Sequence, residues 1–336
     1  MGTLGGWSKR QKLTIDHTQV DDELTDFPVK VIVSSDNPLF DTAKSDGSDV
    51  RFTAADGETL LKFEREVHDT TEKIAVYHVK IPSVSSTSDT DFYLYYGNAS
   101  ASDASSPASV WDSDYVLVMH MDGSLKDSTS NGNDGTNYGS TLGLASDGYY
   151  RSFDGVNDYI RYPLLGIFDG SYGFSIELKY NHNNDDGDQH LLNTMGEHSV
   201  QIQTGEFQPS NVLHCRPNLN GVWKDVVIAP SHSLNTEYYT ALTYNPTSGW
   251  LLYVDDQSVD SNSETGSINT MTRYNAIGRR SSHEDSHFDG TISEVRISST
   301  TRSDAWIKAT SASLHNNLLT FGSEEPAVTM MLAFNF

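Results

Sequence analysis

The sequence predicts an all-β protein made of two tandem β-sandwich domains. Three observations predict this fold class. Apolar and β-branched residues alternate at period two in many short runs, Asp, Asn, Gly and Pro turn signals separate these runs, and no long stretch has helical spacing. The length of 336 residues corresponds to about two ordinary domains.

The first domain is predicted to span residues 1–112. Its expected strands lie in KLTIDH, FPVKVIVSS, DVRFTA, IAVYHVKI and DFYLYYGN, and turns such as SDNP and ADGE separate them. The small residues of GNASASDASSP, from Gly97 to Pro107, indicate a linker or an exposed loop.

The second domain is predicted to span residues 113–322. In the strand GFSIELKY, the even-numbered residues from Phe174 to Tyr180 are expected to pack in a core, and the odd-numbered residues to face water. Trp250 begins the apolar strand WLLYVD and is expected in the core. One short helix is predicted in RSDAWIKATS, with Ser303 as its N-cap and Asp304 in its first turn.

The remaining residues, 323–336, end in the apolar sequence AVTMMLAFNF. This segment is too short to cross a bilayer and would be prone to aggregate if left in water. The favoured interpretation is an assembly strand that joins a second copy of the chain in a homo-oligomer. An additional strand on its own sandwich and a mobile end are the alternatives.

The charge and the cysteine content exclude several classes of protein. There are 46 acidic and 22 basic residues, which give a net charge of −24 and disfavour nucleic acid as a partner. Cys215 is the single cysteine, so no intramolecular disulfide can form. The sequence lacks an apolar signal-peptide core and a run of about 20 apolar residues, which predicts cytosolic synthesis and no membrane span.

The tripeptide Phe-Asp-Gly occurs twice, at 153–155 and at 288–290. The favoured interpretation is a pair of turns, in each of which the Phe is buried, the Asp (Asp154 or Asp289) accepts backbone hydrogen bonds and the Gly adopts a positive φ. The alternative is that the two carboxylates belong to a metal or catalytic site.

Oxygen-bearing side chains cluster in KDSTSNGNDGTN and suggest a calcium site. Its candidate ligands are Asp127, Asn131, Asn133 and Asp134, with Ser128 beside them. The favoured alternative is a loop of Asx turns whose side chains bond their own backbone. The acids and histidines of SSHEDSHFDG, which include Glu284, Asp285, His283 and His287, could form a zinc site. This alternative is less favoured, because the i, i+4 spacing of the two histidines brings them together only on a helix, and this segment is a predicted loop.

No catalytic motif is evident, so the chain is predicted not to be an enzyme. Glycosidases need two carboxylates that flank the scissile bond, whereas Glu177 and Glu294 each stand alone on a predicted strand. The sequence contains no G-x-S-x-G, Walker, HExxH or C-x-x-C pattern. A hydrolase built from distant acids is the minor alternative.

Aromatic and polar residues on the predicted loops favour carbohydrate binding instead. The candidate ligand-binding residues are Trp223, His190, Arg279 and Arg280. Trp223 follows the Asn-Gly signal of a hairpin and is expected to be exposed. For the two arginines, surface ion pairs with neighbouring acids are the alternative.

Two resemblances cover the chain from Trp7 to about Phe321. The segments WSKRQKLTID, SDVRFTAADGETLLKFERE and VWDSDYVLVMHM resemble a family of unknown function from phage, archaeal and bacterial surface proteins. The segments SFDGVNDYI, GFSIELKY and YYTALTYNPTSGWLLYVDDQSV resemble the concanavalin-A-like, laminin-G-type jelly roll. The resemblance implies two β-sandwich (jelly-roll) domains, and it implies that early and late strands lie close together, which would explain the repeated Phe-Asp-Gly.

The resulting functional hypothesis is a structural or adhesive component of a virus particle, such as a tail fibre, baseplate or capsid decoration. Its expected location is the virion surface, and its expected partners are other virion proteins, further copies of itself and host surface glycans. A cellular or extracellular module that binds polysaccharide is the alternative.

Overall fold

The computed structural model describes residues 2–184, 187–194, 200–204, 212–269, 274–280 and 286–327. Within these ranges the chain is almost entirely strand, which confirms the predicted all-β class. Among the described residues, no helix is long and apolar enough to cross a membrane.

The strands are numbered in chain order. The first six are β1 (Lys9–Ile15), β2 (Leu24–Val33), β3 (Arg51–Ala54), β4 (Phe63–Asp69), β5 (Ile74–Val84) and β6 (Thr90–Tyr96), with helix α1 (Leu39–Thr42) between β2 and β3. The next eight are β7 (Tyr115–Met119), β8 (Thr136–Tyr138), β9 (Thr141–Ala145), β10 (Gly148–Asp154), β11 (Tyr159–Tyr162), β12 (Phe174–His182), β13 (Gln189–Asn193) and β14 (Val200–Thr204). The last nine are β15 (Val212–Leu219), β16 (Val222–Trp223), β17 (Val227–Ser231), β18 (Glu237–Asn245), β19 (Gly249–Val254), β20 (Gln257–Asn262), β21 (Asn275–Ile277), β22 (Asp289–Ser298) and β23 (Leu319–Pro326), with helix α2 (Asp304–Leu314) before β23.

The strands belong to two compact units. The first unit comprises the described parts of Met1–Trp111, Ser146–Gly148 and Ala312–Phe336, and the second comprises those of Asp112–Ala145 and Tyr149–Ser311. The division near residue 112 lies where the sequence places the first boundary. The second boundary differs from the expected residue 322, because the chain from Ala312 onward returns to the first unit.

The first unit contains a four-stranded sheet in the order β23-β1-β6-β3 and a three-stranded sheet in the order β2-β5-β4. Phe52 lies at the centre of its aromatic core, with ring centroids 5.4 Å from both Phe63 and Tyr77. Strand β23 pairs antiparallel with β1, from Leu319 opposite Ile15 to Pro326 opposite Lys9. The start of the proposed assembly segment, 323–326, is therefore a strand of the chain's own first unit, and its apolar remainder, 328–336, lies outside the described residues.

The second unit is a sandwich of two sheets. We call the sheet with the order β20-β19-β18-β12-β22-β10-β9 sheet I, and β7 pairs with its strand β22. We call the sheet with the order β16-β15-β14-β13-β21-β11-β8 sheet II, and β17 pairs with its strand β15. The inner faces of the two sheets bury one continuous apolar cluster.

The core residues of sheet I are those that the period-two pattern predicts. The even-numbered residues of β12, from Phe174 to Tyr180, are all buried in the cluster. Trp250 is 1% exposed, and its ring lies 4.4 Å from that of Tyr244 and 5.8 Å from that of Phe174. The core prediction for Trp250 is therefore confirmed.

The expectation that the odd-numbered face of β12 is wet is wrong. Ser175, Glu177 and Lys179 are all buried. Their polar groups are bonded within the second unit: the Tyr239 hydroxyl donates to Glu177 Oε2 at 2.7 Å, and Lys179 pairs with Glu237 at 2.8 Å. A period-two pattern shows which face is apolar, but it does not show whether the polar face meets water.

The two Phe-Asp-Gly motifs lie on neighbouring strands, as the resemblance to the laminin-G-type jelly roll implies. Strand β10 pairs antiparallel with β22, Asp154 lies opposite Asp289, and the Phe153 and Phe288 rings are 6.0 Å apart. Asp154 is a turn residue, because its Oδ1 accepts the N–H groups of residues 156 and 157 at 2.8 and 3.1 Å, and Gly155 has a φ of +72°. Asp289 instead accepts from the side-chain amides of residues 183 and 184.

Helix α2 begins where the sequence predicts, since Ser303 Oγ accepts the N–H of Trp306 at 3.3 Å. Arg302, just before the helix, donates two hydrogen bonds of 2.8 Å to Asp112. Its guanidinium lies 4.3 Å from the ring centres of both Tyr115 and Trp306. Trp306 has a packing role, as its indole N–H donates to the Tyr115 hydroxyl at 3.2 Å.

Replacement of Trp250 tests the core of the second unit. We expect Trp250→Ala to lower the free energy of unfolding by about 3–5 kcal/mol, because it removes a fully buried aromatic side chain and leaves a cavity. Urea denaturation of the two proteins measures the difference. Trp223→Ala, the same change at a half-buried edge position, is the control, and an equal loss in both variants would contradict this description of the core.

Candidate functional site

The loop that suggests calcium is held together by its own backbone. Asp127 accepts the N–H groups of Val118 and Thr129 on Oδ1, at 3.1 and 2.9 Å. Its Oδ2 accepts the Thr129 hydroxyl at 2.8 Å and the Asn133 N–H at 2.9 Å. Both carboxylate oxygens are thus engaged by donors of the protein, as in the Asx-turn alternative.

The other three candidate ligands have similar roles in this loop. The side-chain amides of Asn131 and Asn133 donate to the carbonyls of residues 115 and 116, at 3.0 and 2.7 Å. Asp134 pairs with Lys126 and accepts the N–H of Asp127 at 3.0 Å. The hydrogen bond from Lys126, followed by that from the Asp127 backbone, lowers the pKa of the Asp134 carboxyl. The geometry brings the four residues together and gives each a structural partner, as the Asx-turn interpretation expects, and it does not test calcium binding.

The zinc alternative falls largely outside the described residues, which omit His283, Glu284 and Asp285. His287 lies within the described residues. It is buried, and its backbone forms a single antiparallel β-bridge with Arg279.

The two glutamates considered for hydrolysis are buried in sheet I. Glu177 and Glu294 are each 1% exposed. Glu294 accepts from Arg296 Nε at 2.6 Å and bonds His120 Nδ1 at 2.8 Å. Burial raises the pKa of the Glu177 carboxyl, and the charge of Arg296 only partly offsets that rise. These acids are bonded to protein groups, and their burial favours a structural role.

His190 and Arg280 both lie near the carboxylate of Asp188, the residue before strand β13 of sheet II. His190 lies on β13, is 0% exposed, and its Nε2 is 3.2 Å from Asp188 Oδ2. Arg280 Nη1 is 3.7 Å from the same oxygen. Burial raises the pKa of Asp188, but the hydrogen bond and charge of His190 and the charge of Arg280 outweigh it, so that the pKa is lowered overall. The expected role of His190 as an accessible ligand contact does not fit its complete burial.

Trp223 lies on β16, which forms the edge of sheet II opposite to β8. The Asn-Gly signal forms the predicted hairpin: Asn220 and Gly221 have φ values of +51° and +87°, and Trp223 pairs with Asn218 across the turn. The Trp223 side chain is half-buried rather than exposed.

Sheet II carries a partly exposed aromatic group that the sequence analysis selected only in part, through Arg279. We define the tyrosine–arginine stack as Tyr138, Tyr159, Tyr274, Arg161 and Arg279. The Tyr138 and Tyr159 rings are parallel, with centroids 4.5 Å apart, and the Tyr159 and Tyr274 centroids are 6.0 Å apart. The Arg279 guanidinium lies 4.8 Å from the Tyr159 ring centre, and that of Arg161 lies 4.5 Å from the Tyr274 ring centre.

Strand pairing places the stack on the outer face of sheet II. Tyr159 lies opposite Tyr138, where β11 pairs with the edge strand β8. Ile160 and Tyr162 of β11 point into the core, so Tyr159 and Arg161 point outward. Tyr138 is 38% exposed and Arg161 is exposed, which makes both accessible to a ligand.

The stack carries two guanidinium groups on a strongly acidic chain. Among the described residues, Arg161 has no carboxylate within ion-pair distance, although the chain has a net charge of −24. Burial and the neighbouring Tyr274 raise the pKa of the Tyr159 hydroxyl, and Arg279 offsets this only in part. At neutral pH the stack therefore presents phenol hydroxyls and guanidinium N–H groups as hydrogen-bond donors beside aromatic rings.

The alternation in DYIRY, with polar or aromatic residues around Ile160, was the available sequence signal for this site. It could not show that Tyr138, 21 positions before Tyr159, would lie beside it. Arg279 is the one member of the stack that the sequence analysis selected.

Two family profiles match the chain in tandem. Residues 46–133 match a domain of unknown function, DUF2341, and residues 153–308 match the concanavalin A-like lectin/glucanase superfamily. The second match includes Tyr159, Arg161, Tyr274 and Arg279 of the stack. No curated protein has a significant sequence match to the chain.

Several solved structures resemble the chain at low sequence identity. Domain 4 of AbnA, a GH43 extracellular arabinanase from Geobacillus stearothermophilus in complex with arabinotriose, is 15% identical with a TM-score of 0.49, and the match covers 59% of this chain and 98% of that one. The binding domain of Paraclostridial Mosquitocidal Protein 1 is 16% identical with a TM-score of 0.51, and the match covers 60% and 53%. The Botulinum neurotoxin serotype D binding domain is 13% identical with a TM-score of 0.45, and the match covers 59% and 50%.

The chain thus spans about half the length of the two toxin structures. At these identities the similarity concerns the fold alone. Together, the two packed sheets and the profile matches indicate a β-sandwich similar to the concanavalin A-like superfamily, which follows a region similar to DUF2341.

The Asp127 loop gives a test that separates its structural role from calcium binding. We expect Asp127→Ala to lower the free energy of unfolding by about 2–3 kcal/mol, because backbone N–H groups lose their acceptor. We also expect calcium and a chelator to leave the Tm of the unmodified chain unchanged. A Tm that rises with calcium concentration would instead show a bound ion, since a ligand of the native state stabilises it.

The buried carboxyl of Glu177 predicts a pH dependence of stability. Because its pKa is raised in the folded state, the unfolding free energy falls as pH increases from the ordinary glutamate pKa toward the raised value. We expect Glu177→Gln to remove this part of the decline, so that the difference in unfolding free energy between the variant and the parent shifts in the variant's favour as pH rises through that window, whatever the pH-independent cost of the substitution. Urea unfolding at a series of pH values measures the difference, and parallel pH profiles would refute the assignment.

Proposed function

We propose that this chain is a non-enzymatic adhesive protein whose lectin-like unit binds carbohydrate through the tyrosine–arginine stack. The observation that carries the proposal is the parallel pair of Tyr138 and Tyr159 rings, with two guanidinium groups beside the stack, on the outer face of sheet II. The similar fold of a toxin binding domain supports a binding role without defining its ligand.

The stack has the chemistry that carbohydrate recognition requires. The apolar face of a sugar ring packs against an aromatic face, while nearby polar groups orient its hydroxyls. Tyr138 lies on the edge strand β8, at the end of the stack, and is accessible. The planar guanidinium of Arg161 adds a fork of N–H donors. Such a fork binds a carboxylate with two hydrogen bonds, so an acidic sugar residue suits this site best.

The ring packing also limits the cost of binding. The Tyr159 ring contacts both the Tyr138 ring and the Arg279 guanidinium, so its side chain has little rotamer freedom to lose. A shallow exposed site of this kind binds weakly on its own. Several copies on one assembly would reach useful avidity through a high effective concentration.

In the wider role that we propose, the chain is a surface component of a virus particle that presents this unit to host glycans. A module on a cell surface is the second possibility within the same binding function. Immunogold labelling of purified particles and of cell envelopes separates the two: labelled particles support the virion role, and labelled envelopes alone reject it.

Binding measurements on single-residue variants test the proposed site. We expect the full chain to bind uronic or sialic acid oligosaccharides on a glycan array, and Tyr138→Ala and Arg161→Ala each to weaken binding about tenfold, equivalent to about 1.4 kcal/mol. Calorimetry with the best array ligand gives the affinities. Tyr172→Ala, which changes a 72% exposed tyrosine outside the stack, is the matched control and should bind like the parent.

Two results would contradict the proposal. One is the absence of binding to every acidic and neutral glycan on the array. The other is binding that survives both stack substitutions but is lost in the Tyr172→Ala control.

A further inference from the structure

Three side chains with metal-binding groups converge at one end of a sheet in the first unit. A ring nitrogen of His17 and one carboxylate oxygen from each of Asp16 and Asp89 lie within 4.8 Å of one another. We call these three residues the His17 cluster. They belong to the first unit, whereas the tyrosine–arginine stack and the Asp127 loop belong to the second. The cluster is therefore independent of the proposed glycan surface.

Strand pairing brings the two carboxylates together. Strands β1 and β6 are antiparallel neighbours, and their ladder ends where Ile15 lies opposite Thr90. Asp16 follows Ile15 and Asp89 precedes Thr90, so both aspartates leave the ladder at the same end. Strand β23 pairs with the other edge of β1, where Leu319 lies opposite Ile15. The cluster thus rests on a frame of three paired strands.

A short turn adds the histidine to this frame. Asp16 Oδ1 accepts the N–H and the hydroxyl of Thr18, at 2.9 and 2.7 Å, and caps a single 3₁₀ turn that begins at His17. The Asp16 N–H donates to the Leu318 carbonyl at 3.0 Å. The His17 N–H donates to Asp89 Oδ1 at 3.2 Å, and His17 Nδ1 lies 2.7 Å from the same oxygen. Because these bonds already fix the backbone, little order has to be gained when an ion binds.

Each side chain of the cluster keeps a coordinating atom that the protein does not use. Protein donors bond Oδ1 of Asp16 and Oδ1 of Asp89, and within the described ranges neither Oδ2 atom accepts a hydrogen bond. His17 contacts Asp89 through Nδ1, which leaves Nε2 available. The His17 and Asp89 side chains are 37% and 54% exposed, so dissolved ions can reach them.

The charge of the cluster also favours a cation. In the part of the chain that the structure describes, Asp16 has no cationic side chain within ion-pair distance. Hydrogen bonds from the His17 side chain and then its backbone lower the pKa of the Asp89 carboxyl, which is therefore ionised at neutral pH. Lys12 also lowers this pKa, but it is itself paired with Asp91 at 3.3 Å. A divalent ion would balance the two carboxylates of the cluster.

We propose that the His17 cluster binds a divalent first-row transition ion, for which Zn²⁺ is the probe. Imidazole nitrogen and carboxylate oxygen are ordinary zinc ligands, with bonds of about 2.0–2.2 Å, whereas calcium and magnesium take oxygen ligands. The ligand atoms around a tetrahedral ion with such bonds are about 3.4 Å apart, so small rotations of these side chains bring them into range. Three protein ligands leave one position open for water or for a group from a second molecule.

Calorimetric titration of the metal-free full chain with ZnCl₂ at neutral pH tests this inference. We expect a site of micromolar affinity that a large excess of Ca²⁺ does not displace, because the imidazole ligand disfavours hard ions. Zn²⁺ should shift the ring signals of His17 in the NMR spectrum of the labelled chain. It should also raise the Tm, since it binds the native state.

Single substitutions identify the ligands. We expect His17→Ala and Asp89→Asn each to weaken zinc binding at least tenfold, because each removes one of three ligand groups. Asp16→Asn should weaken it as much while the turn stays intact, since asparagine caps a helix as well as aspartate does. Asp36→Asn removes an exposed carboxylate of the first unit outside the cluster, and this matched control should bind zinc as the parent does.

The inference is overturned if the metal-free chain binds no zinc. It is also overturned if the three cluster variants bind zinc with the affinity of the parent, because the ion would then lie elsewhere on the chain. Displacement of zinc by excess Ca²⁺, or an equal loss of binding in Asp36→Asn, would contradict it as well. Asp16→Asn, which keeps the cap, distinguishes a lost ligand from a lost fold.

Discussion

The second unit depends on the burial of one continuous apolar layer between two antiparallel sheets. Phe174, Trp250 and Phe288 belong to this layer, and it includes residues from strands far apart in the sequence. Because neighbouring side chains on a strand point to opposite faces, the choice of the residues that face the core also determines which residues face outward. The register that buries Ile160 is the same register that directs Tyr159 and Arg161 outward.

The two outer faces of this sandwich differ in chemistry. On sheet I, Glu177 and Arg296 are fully buried and belong to a network of charged and phenolic groups. Removal of a single partner from such a network is costly, although the complete set adds little net stability. On sheet II, the Tyr138 end of the stack is accessible to solvent, so the proposed recognition site lies on a face that is only partly buried. The same strand geometry thus supports a structural network on one sheet and the proposed binding surface on the other.

Much of the fold could be predicted from the sequence, because it depends on local patterns. The even-numbered residues of β12, the core position of Trp250, the Asn220-Gly221 hairpin and the Asp154 turn are each encoded within a few residues. An additional strand on the chain's own sandwich was only an alternative in the sequence analysis, and its pairing with β1 was not specified, because a pairing over about 300 residues leaves no local signal. The burial of Glu177 was missed for a related reason: its environment is supplied by distant residues such as Tyr239 and Arg296.

The site was predicted only in part. Arg279 belongs to the stack, whereas His190 is buried and Trp223 lies at the other edge of sheet II. Aromatic residues were sought on loops, but the accessible tyrosines lie on or beside short strands, and only pairing brings Tyr138 and Tyr159 together. The central claim is that this stack contacts a sugar ring, and a crystal structure of the full chain soaked with an acidic oligosaccharide tests it most directly. The account predicts a sugar ring packed on Tyr138 with its carboxylate at Arg161, and density for the ligand elsewhere on the chain, with the stack empty, would contradict it.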